Sequence, residues 1–242
     1  MRTRIRHGLA AALAVSALSL TAACGGGAAK DDAKKDKSAD KPAAEQTTSA
    51  APAPATPLTA AQMKAAVLEA KDLPSGWTAS KATSDPTKVT ADKPECQPLA
   101  SLLNSEVEGA TMGPGADFKR GNSESELSQQ IMTFAGTGAA DYTTSIGTAL
   151  GTCTSFVAKT DGGTMNIDIK KLTAPQSAEE AHAFRMTLNI AELGMKIESN
   201  ILVARQGTGV TRLAHLADAA GQKEFDTFAK LAGDKLAKAA QS

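Results

Sequence analysis

The pattern of apolar and polar positions predicts helices at both ends of region 58–242 and strands between them. Thr59 and Gln62 form a capping-box pattern, so a helix is expected to begin there and to run to Leu73. The last helix is expected over 221–240, because apolar residues recur there at helical spacing on one stripe. This stripe consists of Phe225, Phe228, Ala232 and Leu236.

The middle of the chain alternates between apolar and polar residues with period two, which predicts strands. The alternating segments are 127–134, 156–159, 165–169, 184–190, 195–205 and 210–216, with shorter helices at 98–105 and 139–150. Glycine-rich turns join several of these segments, and strands joined by tight turns pair antiparallel. The sequence therefore predicts an α+β domain: an antiparallel sheet of roughly 6–8 strands flanked by amphipathic helices, with a candidate cleft.

The N-terminal segment 1–23 has the features of an export signal. It carries Arg2, Arg4 and Arg6 without an acid, followed by a short apolar run that ends in small residues before Cys24. The small residues, Cys24 and the glycines after it resemble a lipobox, which predicts lipid modification of Cys24. Thr21 stands where the commonest lipobox has Leu or Val, and ordinary secretion with cleavage after Ala23 is the alternative.

Residues 24–57 form the predicted lipid anchor and a disordered tether rich in Ala, Pro, Lys and Asp. The segment has no aromatic and no large aliphatic residue before Leu58, so it cannot bury enough apolar surface to offset its ordering entropy. Region 58–242 then remains as one folded domain. The expected location is the extracytoplasmic face of the cell membrane, with the lipid as the sole membrane attachment.

Charge and composition exclude several kinds of function. Region 58–242 has 18 Lys and Arg against 21 Asp and Glu, a balance of −3, and few aromatic residues. Nucleic-acid binding, which needs a basic face, is therefore not expected. His182 and His215 lack neighbours at metal-ligand spacing, and no nucleophile or phosphate-loop motif is present, so neither a metal, a cofactor nor a catalytic residue is predicted.

Cysteine usage agrees with an oxidising compartment. With Cys24 lipidated, Cys96 and Cys153 remain as an even pair, which predicts one disulfide. Two buried free thiols are the alternative.

The order of several features resembles the PknH-like extracellular sensor domains of actinobacteria. These features are the lipobox, a helix that ends in the residues DLPSGW at 72–77, Cys96, a helix that ends in LGTC at 150–153, and a strand-rich block that closes with a helix. The resemblance covers residues 58–240. It implies an antiparallel sheet with flanking helices and a central cleft, and a ligand sensor without catalytic activity. The chain has one candidate disulfide where the best-known member has two, and it has no kinase domain.

Ligand-binding candidates are Trp77, Arg120 and Arg185. Arg185, Arg205 and Arg212 lie on predicted strands. Arg120 ends a further strand that is predicted before a turn at 121–125. Two or three arginines in one cleft would favour an acidic ligand. The partner is expected to be an unidentified small ligand or an envelope component.

Two other functions fit the same sequence. One is a lipid or glycolipid carrier with an internal cavity lined by aliphatic residues. The other is a docking lipoprotein that binds another envelope protein through an exposed apolar patch.

Overall fold

A computed structural model describes residues 56–81, 88–121, 123–216 and 221–242. Cys24, segment 1–23 and most of the tether lie outside the described residues, so their predicted roles stay predictions. Within the described ranges the chain forms four α-helices and nine strands. The helices are α1 Ala60–Ala66, α2 Gln97–Ala100, α3 Gly138–Thr152 and α4 Gly221–Ala240. The strands are β1 Trp77–Ser80, β2 Thr90–Ala91, β3 Ala110–Arg120, β4 Glu126–Phe134, β5 Ser155–Thr160, β6 Gly163–Leu172, β7 Glu180–Ile190, β8 Met195–Gln206 and β9 Gly209–Leu216.

The nine strands form one sheet in the order β1-β3-β4-β9-β8-β7-β6-β5-β2, and every neighbouring pair is antiparallel. The predicted α+β class is confirmed, but the sheet exceeds the expected 6–8 strands. The edge strands β1 and β2 are four and two residues long, too short to show alternation. In β3, Gly113-Pro114-Gly115 resembles a turn, whereas the structure has an irregularity there in the pairing with β4.

Helices cover both faces of the sheet, and β8 shows how the two faces differ. Leu202 and Ala204 pack in a core cluster with Phe225 and Phe228 of α4. The alternate residues Ile201 and Val203 pack in a second cluster with residues of α2 and α3. We call the two sides the α4 face and the α3 face.

Helix α1 begins where the capping box predicts, with both reciprocal hydrogen bonds between Thr59 and Gln62. It ends at Ala66, however, and not at Leu73 as expected. The side chain of Gln129 on β4 explains the early end, because its amide accepts from the Leu68 backbone N–H at 2.7 Å and donates to the Ala66 carbonyl at 3.3 Å. A tertiary contact thus replaces the next helical turn.

Helix α4 matches its expected bounds, and all four residues of its predicted stripe are buried. The predicted helix 98–105 is instead the short α2 between two 3₁₀ turns, Pro94–Cys96 and Ser101–Leu103. Each helix in the described part of the chain is too short or too polar to span a bilayer.

The predicted disulfide is confirmed. Cys96 precedes α2, Cys153 follows α3, and the two Cα atoms lie 5.7 Å apart, within the usual range for a disulfide. Both cysteines are buried in the core of the α3 face. The bridge therefore joins the two helices that cover this face.

Candidate functional site

A row of polar residues crosses the α4 face of the sheet. Lys170 on β6, Arg185 on β7, Asn200 on β8 and His215 on β9 are successive cross-strand partners, so their side chains point to the same face. The row begins in the core, where His215 is fully buried, and reaches the surface at Lys170. Buried polar groups need hydrogen-bond partners. The residues of this row and their hydrogen-bond partners form the candidate site.

The outer half of this row borders an open groove beside the first turns of α4. The groove has a volume of about 690 Å³, within the range of small-molecule sites. We call it the α4 groove and define it by its lining residues: Lys170, Lys171, Leu172, Thr173, Arg185, Gln222 and Asp226.

Hydrogen bonds hold the guanidinium of Arg185 in the α4 groove. Its Nε donates to Asn200 Oδ1 at 2.9 Å, and its Nη2 donates to Gln222 Oε1 at 3.5 Å. The amide of Gln222 continues the chain by donating from Nε2 to Asp226 Oδ1 at 2.8 Å. Asn200 is buried and holds the Nε of Arg185 in place. The Nη groups of Arg185 are left toward the groove, and the side chain is 32% exposed.

The lining residues carry an excess of positive charge, with three cations against the single carboxylate of Asp226. Glu198 on β8 lies nearby, with Oε2 3.8 Å from Nη1 of Arg185. Lys196 pairs with the same carboxylate at 2.7 Å, and this hydrogen bond is the main cause of the lowered pKa of Glu198, against an opposing effect of burial. Glu198 is therefore shared between two cations.

Trp77 and Arg120 lie on the same face, on the other side of His215. The Trp77 ring is buried and packs against Phe228, and its Nε1 donates to Glu224 Oε1 at 3.3 Å. Arg120 donates from Nη1 to both oxygens of Glu224, at 3.0 and 3.1 Å. These contacts join β1 and β3 to α4. Neither residue lines the α4 groove, so of the three ligand-binding candidates Arg185 alone lies in it.

The four strand arginines do not converge on one cleft. Arg120 and Arg185 lie on the α4 face and contact different residues of α4. On the α3 face, Arg205 pairs with Glu179 and Glu180, and Arg212 donates from Nη2 to the Asn104 carbonyl at 3.3 Å. The four arginines therefore cannot bind one acidic ligand together.

A second cavity, of about 140 Å³, lies next to the α4 groove, because both are lined by Lys171 and Leu172. His182 lines it and packs so closely on α3 that a Cβ at Gly147 would lie 2.7 Å from the imidazole. His182 Nε2 lies 3.1 Å from Glu180 Oε1, which places this histidine in a structural cluster between α3 and β7.

Glu180 is the centre of that cluster, and its pKa is lowered. Burial alone would raise the pKa, but hydrogen bonds from Thr143, His182 and Arg205 outweigh the burial and favour the carboxylate. The ionised form of Glu180 therefore stabilises the contact between α3 and the sheet.

This lowered pKa predicts a pH dependence of stability. A carboxyl group with a folded-state pKa below its unfolded value of about 4.3 contributes stability above that pH and loses the contribution as the pH falls through the folded-state pKa. Glu180→Gln should therefore lower the free energy of unfolding at pH 7, and the difference from wild type should shrink below about pH 4. Urea unfolding at several pH values measures it. The exposed Glu126→Gln is the control, and a difference for Glu180→Gln that is unchanged at pH 3 would contradict the account.

Sequence reasoning missed most residues of the α4 groove. Asn200 holds Arg185 but does not line the groove, and it carried one signal, because it is a polar amide directly before the apolar run Ile201–Ala204. Lys170, Gln222 and Asp226 look like ordinary solvated residues in the sequence, and only the fold places them together. Among the described residues, no group of three His, Cys, Asp or Glu side chains is arranged to hold a metal ion. The polar lining residues of the α4 groove can form hydrogen bonds with a ligand and interact with it through charge.

Comparisons with solved structures show a likeness in fold. The structure is similar to the extracellular domain of PknH from Mycobacterium tuberculosis, with a TM-score of 0.55 and 15% identity, over 77% of this chain and 99% of that one. It is also similar to an uncharacterized protein from Mycobacterium smegmatis, with a TM-score of 0.38 and 10% identity over 76% and 98% of the two chains, a likeness too weak to support an argument. No family model and no curated protein matches the sequence. The resemblance to PknH-like domains is confirmed for the fold.

Proposed function

We propose that this chain is a non-catalytic lipoprotein on the extracytoplasmic face of the membrane, and that its domain binds a small polar ligand in the α4 groove. The observation that carries the proposal is the guanidinium of Arg185, held by the buried Asn200 at the wall of an open groove. Ligand sites typically combine a preformed concave surface with a few positioned polar groups. The shared fold with a domain described as extracellular supports the location.

The disulfide also supports an extracytoplasmic location, because such bonds persist mainly in oxidising compartments. The lipid anchor at Cys24 rests on the sequence alone. Two or more acyl chains would hold the chain firmly, since each buried CH₂ contributes about 0.8 kcal/mol.

Replacing Cys24 by alanine should release the chain from the membrane fraction into the medium. The physical reason is the loss of the acyl chains, which are the sole membrane attachment in this account. Fractionation with intact-mass measurement checks both release and the missing lipid mass. Thr21→Leu, which restores the commonest lipobox residue, is the matched control and should remain at the membrane. Retention of Cys24→Ala at the membrane would contradict the anchor.

Filling the α4 groove should abolish ligand binding. Thr173 is an exposed lining residue, and tryptophan at this position would add a bulky indole ring to the wall of the groove. Native mass spectrometry of the full chain, exported by a related host and not refolded, should show a bound small mass that Thr173→Trp lacks. Thr227→Trp, at an exposed position of α4 that does not line the groove, should keep it. A bound mass that survives Thr173→Trp, or none in the wild type, would contradict the proposal.

Docking to another envelope protein has one observation in its favour. Leu193 and Met195, at the turn between β7 and β8, are 67% and 48% exposed. Individual exposed apolar side chains are common on monomeric proteins, and these two do not by themselves define an interface. The small-ligand function therefore has the stronger support.

A further inference from the structure

We infer that the ligand of the α4 groove carries an anionic group, a carboxylate or a phosphate, which binds between Arg185 and Lys170. The inference rests on the proposed function, because it names the chemical class of the ligand for that same groove. It follows from three features of the groove: a like-charge pair across two strands, incomplete neutralisation of its cations, and the orientation of the guanidinium.

The first feature is the pairing of Lys170 with Arg185. The two residues are direct cross-strand partners in the β6–β7 register, and both line the α4 groove. The Cβ atoms of such partners lie about 5 Å apart on one face, where two like charges destabilise the sheet. A bound anion between them converts this repulsion into two attractive interactions.

The second feature is the shortage of counter-charge. Among the described residues, no carboxylate lies within ion-pair distance of Lys170 or Lys171, and Arg185 has only the shared Glu198 at 3.8 Å. Two of the other strand arginines are paired much more closely: Arg120 with Glu224 at 3.0 Å, and Arg205 with Glu179 at 2.6 Å. The cations of the α4 groove are therefore only partly neutralised by the carboxylates of the described residues.

The third feature is the direction in which Arg185 presents its donors. Its Nε is occupied by Asn200, while the bond from Nη2 to Gln222 is 3.5 Å long and weak. An anionic oxygen would form a shorter, charge-assisted bond with the Nη groups. Gln222 would then be released from Arg185 and keep its bond to Asp226.

Asp226 limits how much negative charge the ligand carries. It is the single carboxylate of the lining and lies on the α4 side of the groove, opposite the strand cations. A polyanion that filled the groove would meet this carboxylate and be repelled. The geometry therefore fits a ligand with one anionic head near β6 and β7, and a neutral or hydrogen-bond-donating part near α4.

Titration of the full chain with simple anions, followed by NMR of ¹⁵N-labelled arginine side chains, tests the inference. The probes are inorganic phosphate and acetate, with glycerol as the neutral probe, all at one ionic strength maintained with sodium chloride. The Nε–H signal of Arg185, assigned by its loss in Arg185→Lys, should shift in a saturable way with phosphate or acetate and not with glycerol. The stronger of the two anions identifies the head group.

Two variants at lysine positions make the test specific. Lys170→Gln should weaken anion binding about tenfold, equivalent to about 1.4 kcal/mol, because one of the two cations is lost. Lys119→Gln removes the same charge at an exposed position of β3 and should leave binding within about twofold. Equal weakening by both variants would show a general charge effect and would overturn the inference.

The outcomes also separate the inference from the proposed function. If neither anion shifts the Arg185 signal, the anionic class is wrong. The proposed function then still stands provided that native mass spectrometry shows a neutral or cationic small molecule that Thr173→Trp excludes. If the anions shift the signal but the exported chain neither carries nor gains any larger small molecule, the anion site is real and the proposed function fails.

Discussion

Replacing Cys96 and Cys153 together by alanine should lower the free energy of unfolding by about 4 kcal/mol. The bridge spans 57 residues, and in the chain-entropy model a loop of this length restricts the unfolded chain by about that amount. The loss is a large share of the roughly 5–15 kcal/mol that a typical domain has. Urea unfolding of the full chain, followed by the fluorescence of the single tryptophan, Trp77, measures the difference.

Two comparisons make the disulfide prediction specific. Chemical reduction of the wild-type chain should reproduce the loss seen in the double variant. Cys24→Ala should unfold at the same urea concentration as the wild type, because Cys24 is not part of the bridge. A double variant within about 1 kcal/mol of the wild type would show that packing between α2 and α3 stabilises the domain without the bridge.

Phe228→Ala should destabilise the domain by about 3–5 kcal/mol, the usual loss for a buried phenylalanine. Phe228 is fully buried beneath α4, and its ring centroid lies 5.3 Å from both Trp77 and His215 in edge-to-face arrangements. The change opens a cavity at the point where α4 crosses the strands. Urea unfolding measures the free energy, and the fluorescence of Trp77 should change in the folded state as well.

The neighbouring Thr227 provides the matched control for this position. It is exposed to solvent on α4, and Thr227→Ala should change the free energy of unfolding by less than about 0.5 kcal/mol. A loss below about 1 kcal/mol for Phe228→Ala would mean that α4 contributes little to the core, which would contradict the close packing of Phe228.

Local rules predicted most of the fold. The capping box at Thr59, the apolar stripe of α4 and the turns between strands are determined by residues close in sequence, and all of them are present in the structure. Tertiary contacts produced the differences. Gln129 ends α1 early, and β3 extends through Gly113-Pro114-Gly115 because β4 pairs with it on both sides of the irregularity.

The α4 groove could not be predicted in the same way, because it depends on the register between β6 and β7. A tight turn determines the register of a hairpin, but residues 173–179 form a longer connection that permits several registers. A shift of β6 by one residue would place Lys171, not Lys170, opposite Arg185. Lys170 would then point to the α3 face. The sequence pointed to Arg185 as a candidate but did not indicate which residues lie beside it.

The central claim is that the α4 groove holds a small ligand, and photo-crosslinking in living cells tests it most directly. A small aliphatic diazirine amino acid, about the size of leucine and much smaller than tryptophan, is introduced at Thr173, which lines the groove, and in a second strain at Thr227, which does not. After irradiation, mass spectrometry of the purified chain should show a discrete adduct below about 1,000 Da for position 173 and none for position 227, since groove sites of this volume hold ligands of that size. A protein-sized adduct at position 173, or the same adducts at both positions, would contradict the account.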